Sequence, residues 1–201
     1  MIKAKLEKCE DINRKRKLIC RTVEEEALTI LNKTNTNIGS FIVIAQPHWH
    51  HGVIGIVSSR IMDKFNRPVA LLSKESDSMF RASVRAPKGF SVVQSLSICS
   101  SLLERYGGHD AAGGFTIKAC NITSLREKLI VLADPWLKKN NQLTISPEAH
   151  ISFDQIDRDF WNKYNQLEPF GQGNLRPVFW TSNCFVASQK VLRGGHLSFS
   201  L

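Results

Sequence analysis

Between Phe41 and Ser73 the chain reads as strand, helix, strand. Phe41 to Ala45 (FIVIA) is an unbroken apolar run, the pattern of a strand buried on both faces. After the loop PHWHHG, residues Val53, Ile56, Val57, Arg60 and Ile61 fall in helical register up to Phe65, and Pro68 stops the helix. Val69 to Ser73 is the second strand. Two strands joined by a helix lie parallel in one sheet with the crossover on one face, so the fold class is α/β.

The remaining pattern fits around that unit. From Leu6 to Leu31, apolar residues (Leu6, Cys9, Ile12, Ile19, Val23, Ala27, Ile30) recur mostly every three or four positions, which predicts a long amphipathic helix with Arg14 to Lys17 on its solvated face or against phosphates. Met79 to Arg85 alternates as an antiparallel return strand, and Pro87, Lys88 and Gly89 make a turn. Ser91 caps a predicted helix running through Leu96, Cys99, Leu102 and Leu103 to Tyr106, ended by Gly107 and Gly108. Phe115 to Ala119 is a strand, and Ser124 with Glu127 forms a capping box for a helix that Pro135 ends or kinks. Lys138 to Gln142 (KKNNQ) has the polarity of an interdomain linker. Beyond it come a strand at Ala149 to Phe153, a short helix carrying Ile156, Phe160, Tyr164 and Leu167, a glycine loop at Pro169 to Asn174, a strand at Val178 to Ala187, and the alternating HLSFSL. These strands begin a small β-barrel but fall short of the roughly five that such a fold needs.

Lys and Arg outnumber Asp and Glu by 27 to 18, a net charge of +9 that favours an anionic partner such as nucleic acid. The five cysteines (Cys9, Cys20, Cys99, Cys120, Cys184) are odd in number and form no C-x-x-C pair, which argues against a disulfide framework or zinc ribbon and for a reducing, cytoplasmic setting. No run approaches the ~18 apolar residues of a membrane span.

Three places carry residues suited to binding phosphate. Gly107, Gly108, His109, Asp110, Ala111, Ala112, Gly113, Gly114 is predicted at a helix-to-strand junction, where glycines let a ligand approach the backbone and His109 can donate to a phosphate oxygen. The alternative is a glycine helix stop followed by a surface histidine. Arg81 and Arg85, with Ser83 between them, face one side of a strand, and a guanidinium grips phosphate with two parallel donors. A merely charged strand face reads equally well. Trp49, His50, His51 and Gly52 precede a helix whose first turn holds Gly52 and Gly55, so its free amides could meet an anion. A packing tryptophan and loop histidines are the alternative there, and zinc is disfavoured because no H-E-x-x-H spacing occurs. The second GGH string, Gly194 to His196, reads as a hairpin turn. Two-metal phosphodiester hydrolysis needs carboxylates and histidines converging on both ions. No Asp-His-His or Asp-x-Asp cluster occurs, and Glu24 to Glu26, Asp154, Asp157 and Asp159 read as solvated helix positions.

WHHGVIGIVSSR (49–60), RASVRAPKGF (81–90), LERYGGHDAAGG (103–114) and LEPFGQGN (167–174) together resemble consecutive motifs of the RecJ family of single-strand-specific DNA exonucleases, in that family's order and spacing. The first three resemble the DHHA1 domain of the DHH phosphoesterase superfamily and the fourth the opening of RecJ's OB domain. EDINRKRKLICRTVEEE (10–26) is similar to the family's connector helix. Ala86 departs from the small hydroxyl residue often found after the arginine.

The resemblance implies a DHHA1-type mixed sheet with flanking helices, preceded by a long helix and followed by a partial OB-like β-barrel, with divisions at 1–34, 35–140 and 141–201. It implies 5′-3′ hydrolysis of single-stranded DNA in repair and recombination, with Mn2+ or Mg2+ held by a DHH domain that these residues do not include, so that the chain alone is expected to be an inactive portion of a longer enzyme. It implies that His109, with Gly107 and Gly108, lies at the phosphate beside the metals, that Arg85 holds a nearby phosphate, and that Arg81, Ser83 and His50 are lesser contacts. The implied partners are single-stranded DNA and the DHH domain, with a single-strand binding protein as a candidate and no membrane. Two other readings stay open: a stand-alone nucleic-acid-binding module, and a DHHA1 phosphodiesterase for short RNA or cyclic dinucleotides.

Overall fold

A computed structural model describes residues 2–33, 38–140, 147–171, 173–192 and 194–201. The chain divides into two compact units, Met1–Leu143 and Thr144–Leu201. In the first, helix α1 (Ile2–Lys33) leads to β1 (Ile42–Ala45), α2 (His51–Phe65), β2 (Val69–Lys74), β3 (Met79–Arg85), α3 (Val92–Ile98), β4 (Leu103–Gly108), β5 (Ala112–Lys118) and α4 (Ile122–Asn140). The strands form one five-stranded sheet in the order β1-β2-β3-β5-β4. The expected β1-α2-β2 crossover is present with β1 and β2 parallel, and β3, β5 and β4 continue the sheet antiparallel.

Helices cover the sheet unevenly. On one face Cys20, Val23 and Ala27 of α1 and Val53, Val57 and Ile61 of α2 pack on Ile42, Ile44, Val69 and Leu71. On the other, Val92 and Leu96 of α3 and Leu125, Leu129 and Ala133 of α4 pack on Phe41, Val43, Ala70, Leu72, Val84, Phe115 and Ile117. Each fully buried aliphatic side chain stabilises the fold by about 1.5–3 kcal/mol. The apolar stripe of α1 is covered only from Cys20 onward; Leu6, Ile12 and Ile19 are exposed. Arg14 pairs with Asp11 and Arg16 donates to Asn13, all exposed.

Three expectations are corrected. The helix predicted to run to Tyr106 ends at Ile98; a 3-10 turn at Ser100–Leu102 follows, and Leu103–Gly108 is strand β4. Cys, Ser and Ser after Ile98 are weak helix formers, and pairing with β5 outweighs the local pattern. The GGH string therefore lies at a strand hairpin and not after a helix. The Ser124–Glu127 capping box does not form, because α4 starts at Ile122 straight after a 3-10 turn at Ala119–Asn121. Of the two outcomes expected at Pro135, only an end to α4 is excluded: the proline sits inside the helix, and the carbonyl it leaves without a donor belongs to exposed Val131. Lys138 to Asn140 close that helix; residues 141–142 of the expected linker lie outside the described residues.

The second unit is built from β6 (Ala149–His150), α5 (Arg158–Asn165), β7 (Phe179–Trp180), β8 (Ser188–Val191) and β9 (Leu197–Ser200). The strand expected over Val178 to Ala187 is only two residues long, and it pairs parallel with β6. The second GGH string does join two antiparallel strands, β8 and β9, with Gly194 and Gly195 at positive φ. Asp157 caps α5 by accepting from the Phe160 amide at 2.7 Å. Phe160 meets Phe179 edge-on, with ring centroids 5.5 Å apart. Asn174 donates to the Leu167 and Pro169 carbonyls, which holds the glycine loop closed. Among the described residues the strands make two separate pairs and no closed barrel.

Candidate nucleic-acid interface

Register sorts the side chains of β3, β5 and β4 onto two faces. Directly opposed residues share a face, so Phe80 with Ile117, Ala82 with Phe115, and Val84 with Gly113 point into the core beneath α3 and α4. The intervening positions point the other way in three rows: Arg81, Thr116 and Arg105; Ser83, Gly114 and Gly107; Arg85 and Ala112. Helix α2 reaches over this second face only as far as β3, where the Ser58 hydroxyl lies 2.7 Å from the Ile54 carbonyl and 3.1 Å from the Ser83 carbonyl.

Arg85 stands where α2 ends its cover. Its Nη1 donates to the Val84 carbonyl at 2.7 Å and to the Ser83 hydroxyl at 3.3 Å, which fixes the guanidinium against the sheet. Gly55 of α2 makes room for it: a Cβ there would lie 2.9 Å from Ser83 Oγ and 3.3 Å from Arg85 Nη2. His51, Gly52, Gly55, Ser59, Ser83 and Arg85 line an open cavity of about 490 Å³. Among the described residues no carboxylate pairs with Arg85, so its outward donors are free to meet an anion.

The glycines flanking His109 have different tasks. Gly108 has φ +146°, and a Cβ there would lie 2.4 Å from the Ala112 carbonyl oxygen, so this position is fixed by the hairpin itself. Gly113 is held by α3, with a hypothetical Cβ 2.8 Å from Val92. Gly107 is the reverse case: a Cβ would meet nothing within 4 Å, so its small size leaves open surface. The hairpin tip is anchored on both sides, with the His109 amide donating to Ala112, the Val92 amide to the Asp110 carbonyl, and the Ala86 amide to the Ala111 carbonyl. Ser91 donates to the Asp110 carboxylate. The exposed His109 imidazole makes no hydrogen bond among the described residues.

The Trp49–Gly52 segment divides its residues. Trp49 is a packing residue whose indole donates to Glu26 at 2.7 Å, and His48 Nε2 lies 2.8 Å from the same oxygen. Together, the indole first, they hold the Glu26 carboxyl below its ordinary pKa. His50 caps α2, its Nδ1 accepting from the Gly52 amide at 3.0 Å, and so occupies the helix N-terminus. His51, stacked on it at 4.9 Å, is the histidine on the Arg85 cavity wall. Its register four residues before Gly55 was the available signal. Arg105 and Thr116 also escaped sequence reasoning, since only the β4–β5 register brings them beside Arg81.

Among the described residues, no three His, Cys, Asp or Glu side chains lie together so as to hold an ion. Cys99 is inert as well, its thiol pKa raised by burial in the core.

Comparison with known proteins agrees with this architecture. The DHHA1 domain model matches residues 38–139, and the RecJ OB domain model matches residues 148–201. The chain belongs to the DHHA1 domain family. The two domains in this order are those of the C-terminal portion of RecJ, which the chain resembles over most of its length. The single-stranded-DNA-specific exonuclease RecJ of Bacillus subtilis is 30% identical over 176 residues, covering 87% of this chain and 22% of that protein. Its namesake in Thermus thermophilus is 31% identical over 185 residues, covering 90% and 26%. The crystal structure of Thermus thermophilus RecJ in complex with Mg2+ superposes over 98% of this chain and 30% of that one, with a TM-score of 0.79 and 25% identity; the Mn2+ complex gives 0.78. The chain thus spans about a quarter of the length of the relatives it matches.

Proposed function

We propose that this chain is the substrate-gripping part of a RecJ-like exonuclease that removes nucleotides from single-stranded DNA in the 5′-3′ direction during repair and recombination. Arg85 and His109 hold phosphates at the end being processed. Arg81 and Ser83 are lesser contacts, as is His50 at the α2 N-terminus with His51 beside it. Gly107 keeps the surface open, and Gly108 shapes the arm that carries His109. A DHH domain outside these 201 residues would hold Mn2+ or Mg2+, which would supply the hydrolytic water. The OB domain guides the strand, by stacking and charge, in a cytoplasmic setting where a single-strand binding protein is a candidate partner.

The observation that carries this reading is Arg85: a guanidinium fixed by its own strand, given room by a helix glycine, facing an open cavity with no acid among the described residues to neutralise it. A phosphate is the anion that matches its geometry. The test is a titration of the chain with a 5′-phosphorylated oligothymidylate. The native chain binds with affinity that falls as salt rises, and both Arg85→Ala and His109→Ala weaken it while leaving the fold intact. Unweakened binding by both variants refutes the assignment. Release of nucleotides by the purified chain with Mn2+ alone refutes the division of labour.

A further inference from the structure

The open face holds a second cavity, of about 320 Å³, that shares no lining residue with the one at Arg85. Its floor is the first row described above, in which Arg81, Thr116 and Arg105 stand side by side on three adjacent strands. Gly107 and Gly114 border it toward Arg85 and present no side chain. We propose that this cavity is a second phosphate subsite, which takes a phosphodiester further along the same single strand whose end is held at Arg85 and His109.

Three observations point to a ligand. Arg105 is exposed and pairs with no carboxylate among the described residues. Thr116 is more than nine-tenths buried as a residue, lines the cavity, and its side chain makes no hydrogen bond among the described residues. Register places Thr116 between the two guanidinium-bearing positions, a set of donors suited to a tetrahedral anion. The one acid on the wall, Glu75, stands 3.9 Å from Arg81, too far for a hydrogen bond, and leaves the cavity with a net positive charge.

Geometry makes it a separate subsite. Arg81 and Arg85 are four residues apart on one strand, roughly 13 Å at the usual rise, and in the row between them Gly114 and Gly107 present no side chain beside Ser83. A strand laid beside the edge of α2, over Gly114 and Gly107, would meet cationic groups at both ends of that row and bare backbone between them. The inference rests on the proposed reading of the Arg85 site.

The experiment compares binding of 5′-phosphorylated dinucleotide and hexanucleotide oligothymidylates to the full 201-residue chain by fluorescence anisotropy, with circular dichroism as the control for folding. The native chain should bind the hexanucleotide more tightly than the dinucleotide. In Arg105→Gln that gain should be lost, with hexanucleotide binding reduced about fivefold or more and the salt slope reduced by about one. Thr116→Val should reduce it by about two- to threefold, and Glu75→Gln should strengthen it. By contrast, Arg85→Ala should weaken both lengths. The subsite is overturned if folded Arg105→Gln keeps the native ratio of affinities, or weakens both lengths equally, while Arg85→Ala still weakens both. A native chain that binds neither oligonucleotide overturns the Arg85 reading first and the subsite with it.

Discussion

Strands β2 and β4 belong to one sheet and have opposite fates. Every residue of β2 from Val69 to Ser73 is buried, with α1 and α2 above and α3 and α4 below. In β4, by contrast, Glu104 to Gly108 are all exposed. Strand β3 lies between these regimes and alternates strictly, with Phe80, Ala82 and Val84 buried and Arg81, Ser83 and Arg85 turned outward or to the edge of α2. One side of the sheet is thus a conventional two-faced core, and the other is an open cationic floor with a core beneath it. Stability and the proposed binding belong to different ends of the same hydrogen-bonded array.

Substitutions on the two sides should separate accordingly. Leu71→Ala, in the covered half, leaves a cavity and should cost about 2–5 kcal/mol in chemical denaturation, while the remaining folded protein keeps the proposed salt-dependent DNA binding. The paired glycines sharpen the boundary. Gly108→Ala forces backbone to move and should cost about 1–3 kcal/mol of stability, whereas Gly107→Ala should be tolerated by the fold and felt in binding. Arg85→Ala should weaken single-strand binding by about 1–3 kcal/mol and change the denaturation midpoint little.

The smallest effect belongs to the contact between α1 and the loop before α2. The Glu26 carboxyl is held below its ordinary pKa by Trp49 and His48, so its contribution is present above the ordinary carboxylate range and lost as pH falls through the lowered value. Glu26→Gln should cost less than about 1 kcal/mol near neutrality, given how exposed the group is. Urea midpoints taken along an acid series should converge for the two proteins; a constant difference would contradict the carboxylate's role.

Much of this was legible from residues. Uninterrupted apolar runs at Phe41 to Ala45 and Val69 to Leu72, with helical register between them, leave little choice but a parallel crossover. The motifs identified the family's features because WHHGVIGIV, RASVR and GGHDAAGG combine small residues with histidine and arginine side chains in a fixed order. The segment from Cys99 to Tyr106 misled, since Leu96, Cys99, Leu102 and Leu103 keep helical spacing while the chain has already turned. In the second unit, Val178 to Ala187 has strand composition, yet only Phe179 and Trp180 find a partner. Local pattern cannot reveal whether a ladder is available.

By itself, then, the sequence determined the crossover unit, the alternation that turns Arg81, Ser83 and Arg85 to one side of β3, and the resemblance to the RecJ family. These depend on neighbours within a few residues, where side-chain periodicity and backbone sterics act directly. Only the tertiary structure decided that β4 is a strand, that Gly108 is fixed by its hairpin while Gly107 opens the surface, that His51 and not His50 lines the Arg85 cavity, and that Arg105 and Thr116 join Arg81. Each of these depends on the register between strands or on where α2 ends its cover. Register is set by burying one whole face of the sheet at once, a condition that no short stretch of residues contains.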